Sequence, residues 1–274
     1  MKLKNSENAE AQGANLEGIS FDSILNELSS TTKRNVLGNM EFKEITMKQQ
    51  RKIMNGGYDN IEISAKFADV YNEFIAENVV VTNDIVPSTK VVTLETKPYV
   101  LNVLRTLTLG NTYYDDETDK VYVLNEVTAD DLVPKIEDES IEFGNVKIVL
   151  SVPDLERDTK YNKLLCIALN PYKKKNLKDS DTFPVMDLYQ TYEIFKYIKT
   201  ISFKGVDYDF DQVSMNDKNK LLNSLHASIV NQITDYIKRV EDVKEVALKA
   251  TDSESGETIS PSVYTLFFAK TAKK

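Results

Sequence analysis

The sequence predicts an α+β protein: amphipathic helices with a small antiparallel β insert and β-hairpins. Three observations predict it. Apolar residues recur at three- and four-residue spacing over long stretches on both sides of the chain's middle. The segment 111–153 instead carries aromatic and β-branched arms around polar or Gly-Asn turns. A further tight turn, Lys204-Gly205, splits "ISFKGVDYDF" into two arms. The chain is therefore divided into a disordered tail at 1–19, an N-terminal helical part at 20–110 and a β insert at 111–153. A C-terminal helical part with a hairpin and terminal strands follows at 154–274.

In order, "SFDSILNELSS" opens the helices, with Ser20 as cap and Phe21, Ile24, Leu25 and Leu28 on one face. This short amphipathic helix follows a polar tail, so its apolar face packs on its own domain or on a partner. The next helix starts near Thr46, where Thr46 and Gln49 make a capping box, and stops at Asn55-Gly56-Gly57. A helix over about 64–78 presents Phe67, Val70, Tyr71, Phe74 and Ile75, with Ser64 as cap; such a stripe is core, and no site is assigned to it.

"TLETKPYVLNVLRTLTLGNTYY" is a well-punctuated core helix. Thr96 or Thr93 caps it, and Pro98 falls where amide N–H groups have no intrahelical partner. Val100, Leu101, Leu104 and Leu107 form the buried face. Arg105 sits near the negative end of the helix dipole, and Gly110 takes the positive φ beyond it.

"TYYDDETDKVYVL" then reads as a hairpin with a six-residue polar tip, and "ESIEFGNVKIVLSVP" as a second ribbon around Gly144 and Asn145. "DTKYNKLLCIAL" is a short helix with Leu164, Leu165, Ile167 and Ala168 inward. A long one follows with Pro184 in its first turn and Val185, Leu188, Tyr189, Tyr192, Phe195 and Ile198 on one face. In the Lys204-Gly205 hairpin, Val206, Tyr208 and Phe210 point one way and Asp207, Asp209 and Asp211 the other. The longest helix, about 214–240, starts at Ser214 and Asp217 and carries Leu222, Leu225, Ile229, Ile233, Tyr236 and Val240. "VKEVALKA" and "SVYTLFFAK" supply a terminal pair of strands around the loop at 252–258.

The composition bounds the chemistry. The 274 residues are 41% hydrophobic and 28% charged, with a net charge of −9, which disfavours nucleic acid and anionic membranes as general partners. "YKKKNLK" at 172–178 is the one basic run; if it bound nucleic acid, Lys173, Lys174, Lys175 and Lys178 would join Lys196 and Lys199 in one face. One cysteine, Cys166, rules out an intrachain disulfide and fits a reducing cytoplasm. No apolar run is long enough to span a bilayer, and the first 18 residues lack a signal-peptide core.

Catalytic inventories are thin. The single histidine, His226, lies inside the predicted long helix, and Cys166 on an apolar helix, which disfavours a Cys-His pair. One Cys and one His do not make a zinc site, and no phosphate-binding glycine loop is present, so no metal and no cofactor is expected. Carboxylates cluster at 115–119, 137–140, 179–181 and 207–211. They read as solvated tips and edges that discourage strand aggregation. A carboxylate-dependent hydrolase would need them to converge in one pocket, and the absence of Trp removes the commonest sugar-stacking platform. Fourteen tyrosines, eleven phenylalanines and long amphipathic helices without a catalytic set suit a protein–protein binder.

The order of segments carries a resemblance. A helix ending in "FIAENVVV" is followed by the threonine-acid turn "TLETKP" and the helix "YVLNVLRTLTLGNTYY". A β-rich insert comes next, then "DLYQTYEIFKYIKTISFKGVDYDF" and "LLNSLHASIVNQITDYI". This resembles the baseplate hub assembly proteins of T-even-like contractile-tailed phages over roughly residues 40–245. Their helix signature of Leu-Arg, a serine and a glycine has its counterpart here in Leu104, Arg105 and Gly110, with Thr108 where serine is common. The sequence departs from some relatives in lacking a Cys- or His-rich C-terminal segment. The resemblance implies a non-enzymatic role in building the tail hub, as a chaperone-like assembly factor or a minor hub component. It would work in the host cytoplasm during assembly or within the virion baseplate. Its partners would be other tail or baseplate proteins, with no nucleic acid and no membrane, and homo-oligomerisation stays open. Phe21, Ile24, Leu25, Leu28 and Arg105 are then the candidate partner-binding residues. A nucleic-acid accessory factor and a tail-associated hydrolase are the alternatives.

Overall fold

The structure, a computed structural model, describes residues 31–55, 63–82, 85–115, 118–172 and 179–261, together with Ser23, Glu27 and Phe267. Met1–Lys33 and Arg34–Lys274 are separate units, and the architecture below is that of the second. Helices and three small antiparallel sheets make it an α+β protein, as the patterning predicts. The helix expected from Ser20, with Phe21, Ile24, Leu25 and Leu28, lies outside the described residues.

The first sheet contains a hairpin that the apolar patterning does not reveal. Strands β1 (Arg34–Leu37) and β2 (Met40–Lys43) turn on Gly38-Asn39, with Gly38 at φ +60°. Leu37 and Met40 pair across the turn, and Met40 and Phe42 face the core. Helix α1 (Met47–Asn55) opens on the expected capping box: Thr46 N–H donates to Gln49 Oε1 at 2.8 Å, and Gln49 N–H to Thr46 Oγ1 at 3.3 Å. Helix α2 (Ile63–Asn78) buries Phe67, Tyr71, Phe74 and Ile75. The Val-Val-Val that follows it is strand β3 (Val79–Val81), which pairs with β2.

After a short helix, α3 (Ser88–Val91), comes α4 (Lys97–Leu109). From Lys97 to Arg105 it is buried nearly all round, not along one stripe, because α2, β2 and another long helix close on it. Gly110 ends it at φ +86° and ψ 173°, a conformation that side chains other than glycine's disfavour.

The expected insert is built as two separate ribbons. Strands β4 (Thr112–Asp115) and β5 (Lys120–Leu124) pair through Asp115 and Lys120, so the tip is four residues, not six. They join β10 (Ala250–Asp252) and β11 (Thr258–Ile259) in a sheet of order β11-β10-β5-β4. Strands β6 (Glu139–Phe143) and β7 (Val146–Leu150), turning on Gly144-Asn145, join β8 (Ile198–Phe203) and β9 (Val206–Asp209). The Lys204-Gly205 turn holds φ +50° and +82°, the left-handed pair that a two-residue hairpin needs.

Between β7 and β8 the chain runs out and back as α5 (Leu155–Ala168) and α6 (Asp179–Tyr197). Asp154 caps α5 by accepting from Arg157 N–H at 2.8 Å. Its inward face is Leu155, Asp158, Tyr161, Asn162 and Leu165, whereas Ile167, expected inside, is 64% exposed. Pro184 falls inside α6 rather than in its first turn, and Ile198 has already entered β8.

The long helix expected over 214–240 is two: α7 (Met215–Ser224) and α8 (Ala227–Ala247), separated by Leu225 and His226 in extended conformation. Ser224 Oγ donates to Lys220 O at 2.7 Å, a side-chain bond that competes with the helix ladder. Apolar residues keep helical spacing through the break, so the pattern cannot show it. Helix α8 runs on to Ala247, which takes in most of "VKEVALKA" and leaves Ala250 to Asp252 as the strand. "SVYTLFFAK" lies outside the described residues except for Phe267. One hydrophobic core runs from Met40 to Val240 and gathers side chains from α2, α4, α5, α6 and α8. No helix among the described residues is long and apolar enough to cross a membrane.

Candidate functional site

Five helices converge on a group of buried charges. Asp158, from the inward face of α5, is 2% exposed. Its Oδ1 lies 2.9 Å from Lys196 Nζ, which comes from the last turn of α6. Its Oδ2 accepts from Asn72 Nδ2 of α2 at 2.8 Å and lies 3.7 Å from Lys97 Nζ, at the first residue of α4. Lys196 also meets Glu193 at 2.9 Å. Lys97 donates to the Ala68 carbonyl at 3.3 Å. On α8, Lys244 bonds both oxygens of Glu241 at 2.6 and 2.8 Å.

Between these groups lies a cavity of about 360 Å³, with Tyr71, Leu94, Pro98 and Leu101 as its apolar wall and three lysines and three carboxylates as its polar one. Burial alone would push the Asp158 carboxyl up, but Lys196 and Lys97 outweigh it and hold the group well below the carboxylate range. Burial would lower Lys196, but Asp158 and Glu193 outweigh that and hold its ammonium above the ordinary lysine value. Lys97 goes the other way: desolvation takes it down to about 8, with Asp158 opposing and Lys244 and Lys196 adding to the fall. The arrangement can therefore hold a small ligand with one polar end against an amine that sheds its proton easily.

A second polar group joins α5 to α7. Lys218 Nζ donates to Tyr161 Oη at 2.9 Å, and Tyr161 Oη donates to Asp211 Oδ1 at 2.9 Å. Lys218 packs over the Tyr161 and Phe210 rings, and burial lowers it to about 8. A groove of about 490 Å³ between α2 and α5 holds Asp69, whose carboxyl burial raises to about 6 against the bond donated by Asn162 at 3.2 Å.

The sequence-expected residues fall elsewhere. Arg105 is fully buried and donates to the carbonyls of Gly110 and Thr112, the latter at 3.1 Å. Burial lowers its guanidinium to about 10. It fastens the end of α4 to the start of β4, which is an internal role. The described acid residues fall at Asp115 and Asp119 beside the β4–β5 turn, at 137–140 at the start of β6, at 179–181 opening α6 and at 207–211 from β9 onward. Among the described residues no group of three or more His, Cys, Asp or Glu side chains is placed to hold a metal ion. Lys196 is buried with Asp158 and so joins no basic surface, while Lys199 meets Asp138 at 2.7 Å. Lys173, Lys174, Lys175 and Lys178 lie outside the described residues. His226 is exposed, at the N-cap of α8.

Sequence reasoning missed the buried charges, although a signal was present. Asp158 stands in register with Leu155, Tyr161 and Leu165, and Lys196 inside "EIFKYI". A charge on an apolar stripe calls for a buried partner. Comparison with protein-family models, with curated proteins and with solved structures finds no match to this chain.

Proposed function

We propose that this chain is a non-catalytic assembly protein of a contractile tail baseplate, acting at the hub as a chaperone-like factor or a minor component. The observation that supports a binding role is where the apolar surface lies. Phe183 is 81% exposed and Met186 63%, both on the first half of α6, and Ile167 projects from the same helical hairpin. Large apolar side chains exposed on one helical hairpin suit a partner surface. Hairpin β8–β9 adds exposed Phe203 on β8 and exposed Val206 and Tyr208 on β9, the strand with an open edge. The hub assignment itself rests on the segment order and the Leu104, Arg105 and Gly110 pattern.

The test is peptide mass spectrometry on purified tailed particles beside the infected-cell lysate. Near-stoichiometric presence in particles makes the chain a structural part, and presence in the lysate alone makes it an assembly factor. A source that makes no tailed particle overturns the reading. Replacing both Phe183 and Met186 by serine is expected to abolish co-purification with the hub while leaving the urea midpoint unchanged.

A further inference from the structure

We propose that Lys97 is a nucleophilic amine that captures small aldehydes and ketones as an imine, in the cavity walled by Tyr71, Leu94, Pro98 and Leu101. Nothing in the assembly role requires such a site. Three placements each disfavour a positive charge on this side chain. Lys97 is the first residue of α4, at the positive end of the helix dipole. It is 9% exposed, and its ammonium has lost most of its water. Two further lysines, Lys196 on α6 and Lys244 on α8, line the same cavity.

Asp158 offsets these effects only in part, because the carboxylates of the cavity are held more closely by other groups, and the acceptor nearer to Lys97 is the Ala68 carbonyl, at 3.3 Å. Asp158 gives Lys196 a 2.9 Å contact and Asn72 a 2.8 Å bond, leaving Lys97 at 3.7 Å. Glu193 meets Lys196, and Glu241 holds Lys244. From α2, Asp69 exerts a weaker pull. An amine made acidic by desolvation and by neighbouring cations is the arrangement that activates lysine toward carbonyl carbon.

The chemistry balances without an oxidant. Lys97 releases its proton to solvent, and the Nζ lone pair attacks the carbonyl carbon. The C=O π pair moves to oxygen, which takes up one of the two protons on the now cationic nitrogen to give a neutral carbinolamine. Loss of the nitrogen's remaining proton with the hydroxyl group, as water, leaves the C=N bond. Glu193 and Glu241 on the cavity wall can relay those protons. The apolar wall suits an aliphatic or aromatic carbonyl compound, and the volume, about 360 Å³, accommodates one ring.

Lowered to about 8, Lys97 holds a far larger neutral fraction near neutral pH than an ordinary exposed lysine. The test treats the native full chain with benzaldehyde and cyanoborohydride at pH 7.5 and maps benzylated lysines by peptide mass spectrometry over time. Lys97 is expected to label at least about tenfold faster than exposed Lys238, with the preference lost in urea. Lys218, also lowered to about 8 but packed on the Tyr161 and Phe210 rings, is the control for the cavity and is expected to lag. Lys244→Met removes one neighbouring cation and frees Glu241, so it is expected to slow Lys97 several-fold while leaving Lys238 unchanged. Lys97 labelling no faster than Lys238, or Lys218 keeping pace with Lys97, overturns the proposal.

Discussion

Asp158 and Lys196 meet at 2.9 Å with both side chains at least nine-tenths out of water, and Asp158 is also the nearest carboxylate to Lys97. The carboxylate therefore offsets two buried cations, whereas Lys196 has Glu193 as a second partner. Removing the shared anion leaves more uncompensated charge than removing one cation. Asp158→Asn is expected to cost about 3–5 kcal/mol in urea denaturation, and Lys196→Met less than half of that. Equal losses would mean that Asp158 does not serve both lysines. The Asp158 carboxyl is held below its unfolded value, so its contribution is full above about pH 4 and is lost as the pH falls further.

Asp69 carries the opposite sign. Its carboxyl is raised to about 6 from 3.8, so the folded chain holds a proton over that interval that the unfolded chain has lost. Stability on this account falls as the pH rises from about 4 to 6, and the full penalty stands above 6. Asp69→Asn keeps an acceptor for Asn162 and removes the charge. It is expected to raise stability at pH 7 by about 1 kcal/mol, since the group is only partly buried and water screens it. Below pH 4 the variant and the parent should unfold at the same urea concentration.

Glu95, 2% exposed, accepts from the backbone N–H groups of Lys135 at 2.8 Å and Ile136 at 3.2 Å. It ties the loop before β6 to the turn before α4. Glu95→Ala leaves both donors without that acceptor, at a cost of about 2–3 kcal/mol. Amide hydrogen exchange should quicken first at Lys135 and Ile136, and unchanged protection there would show that the carboxylate does not hold the loop.

Arg105→Lys keeps a cation but loses the planar fork that reaches the carbonyls of both Gly110 and Thr112. The expected loss is about 2 kcal/mol, with early exchange in β4 while α2 stays protected. If a partner needs Arg105 itself, binding would fall without any loss of stability, which the burial of this side chain argues against.

Much of the architecture is legible in local chemistry. The Thr46–Gln49 capping box, the turn at Lys204-Gly205 with both residues left-handed, the Gly144-Asn145 turn with Gly144 left-handed, and the cap at Ser214 are all set by residues close in sequence. So are the stripes of α2 and α8. Other features have no local signature. The break at Leu225-His226 keeps helical spacing on both sides. Helix α4 shows one apolar face in sequence, yet it is surrounded because distant helices close on its polar side, burying Lys97, Asn102 and Arg105.

Each ribbon of the insert recruits a strand from later in the chain, β10 to β5 and β8 to β7. Hairpin signals specify a turn, but not the neighbour of an open strand edge. What the sequence alone determined is the α+β class and the positions of most helices and turns, since caps, turn residues and periodicity act within a few residues. What only the tertiary structure decided is which charges meet. Asp158, Lys97, Lys196 and Asn72 come from four helices, and their pairing and proton affinities arise from shared burial that no local pattern encodes.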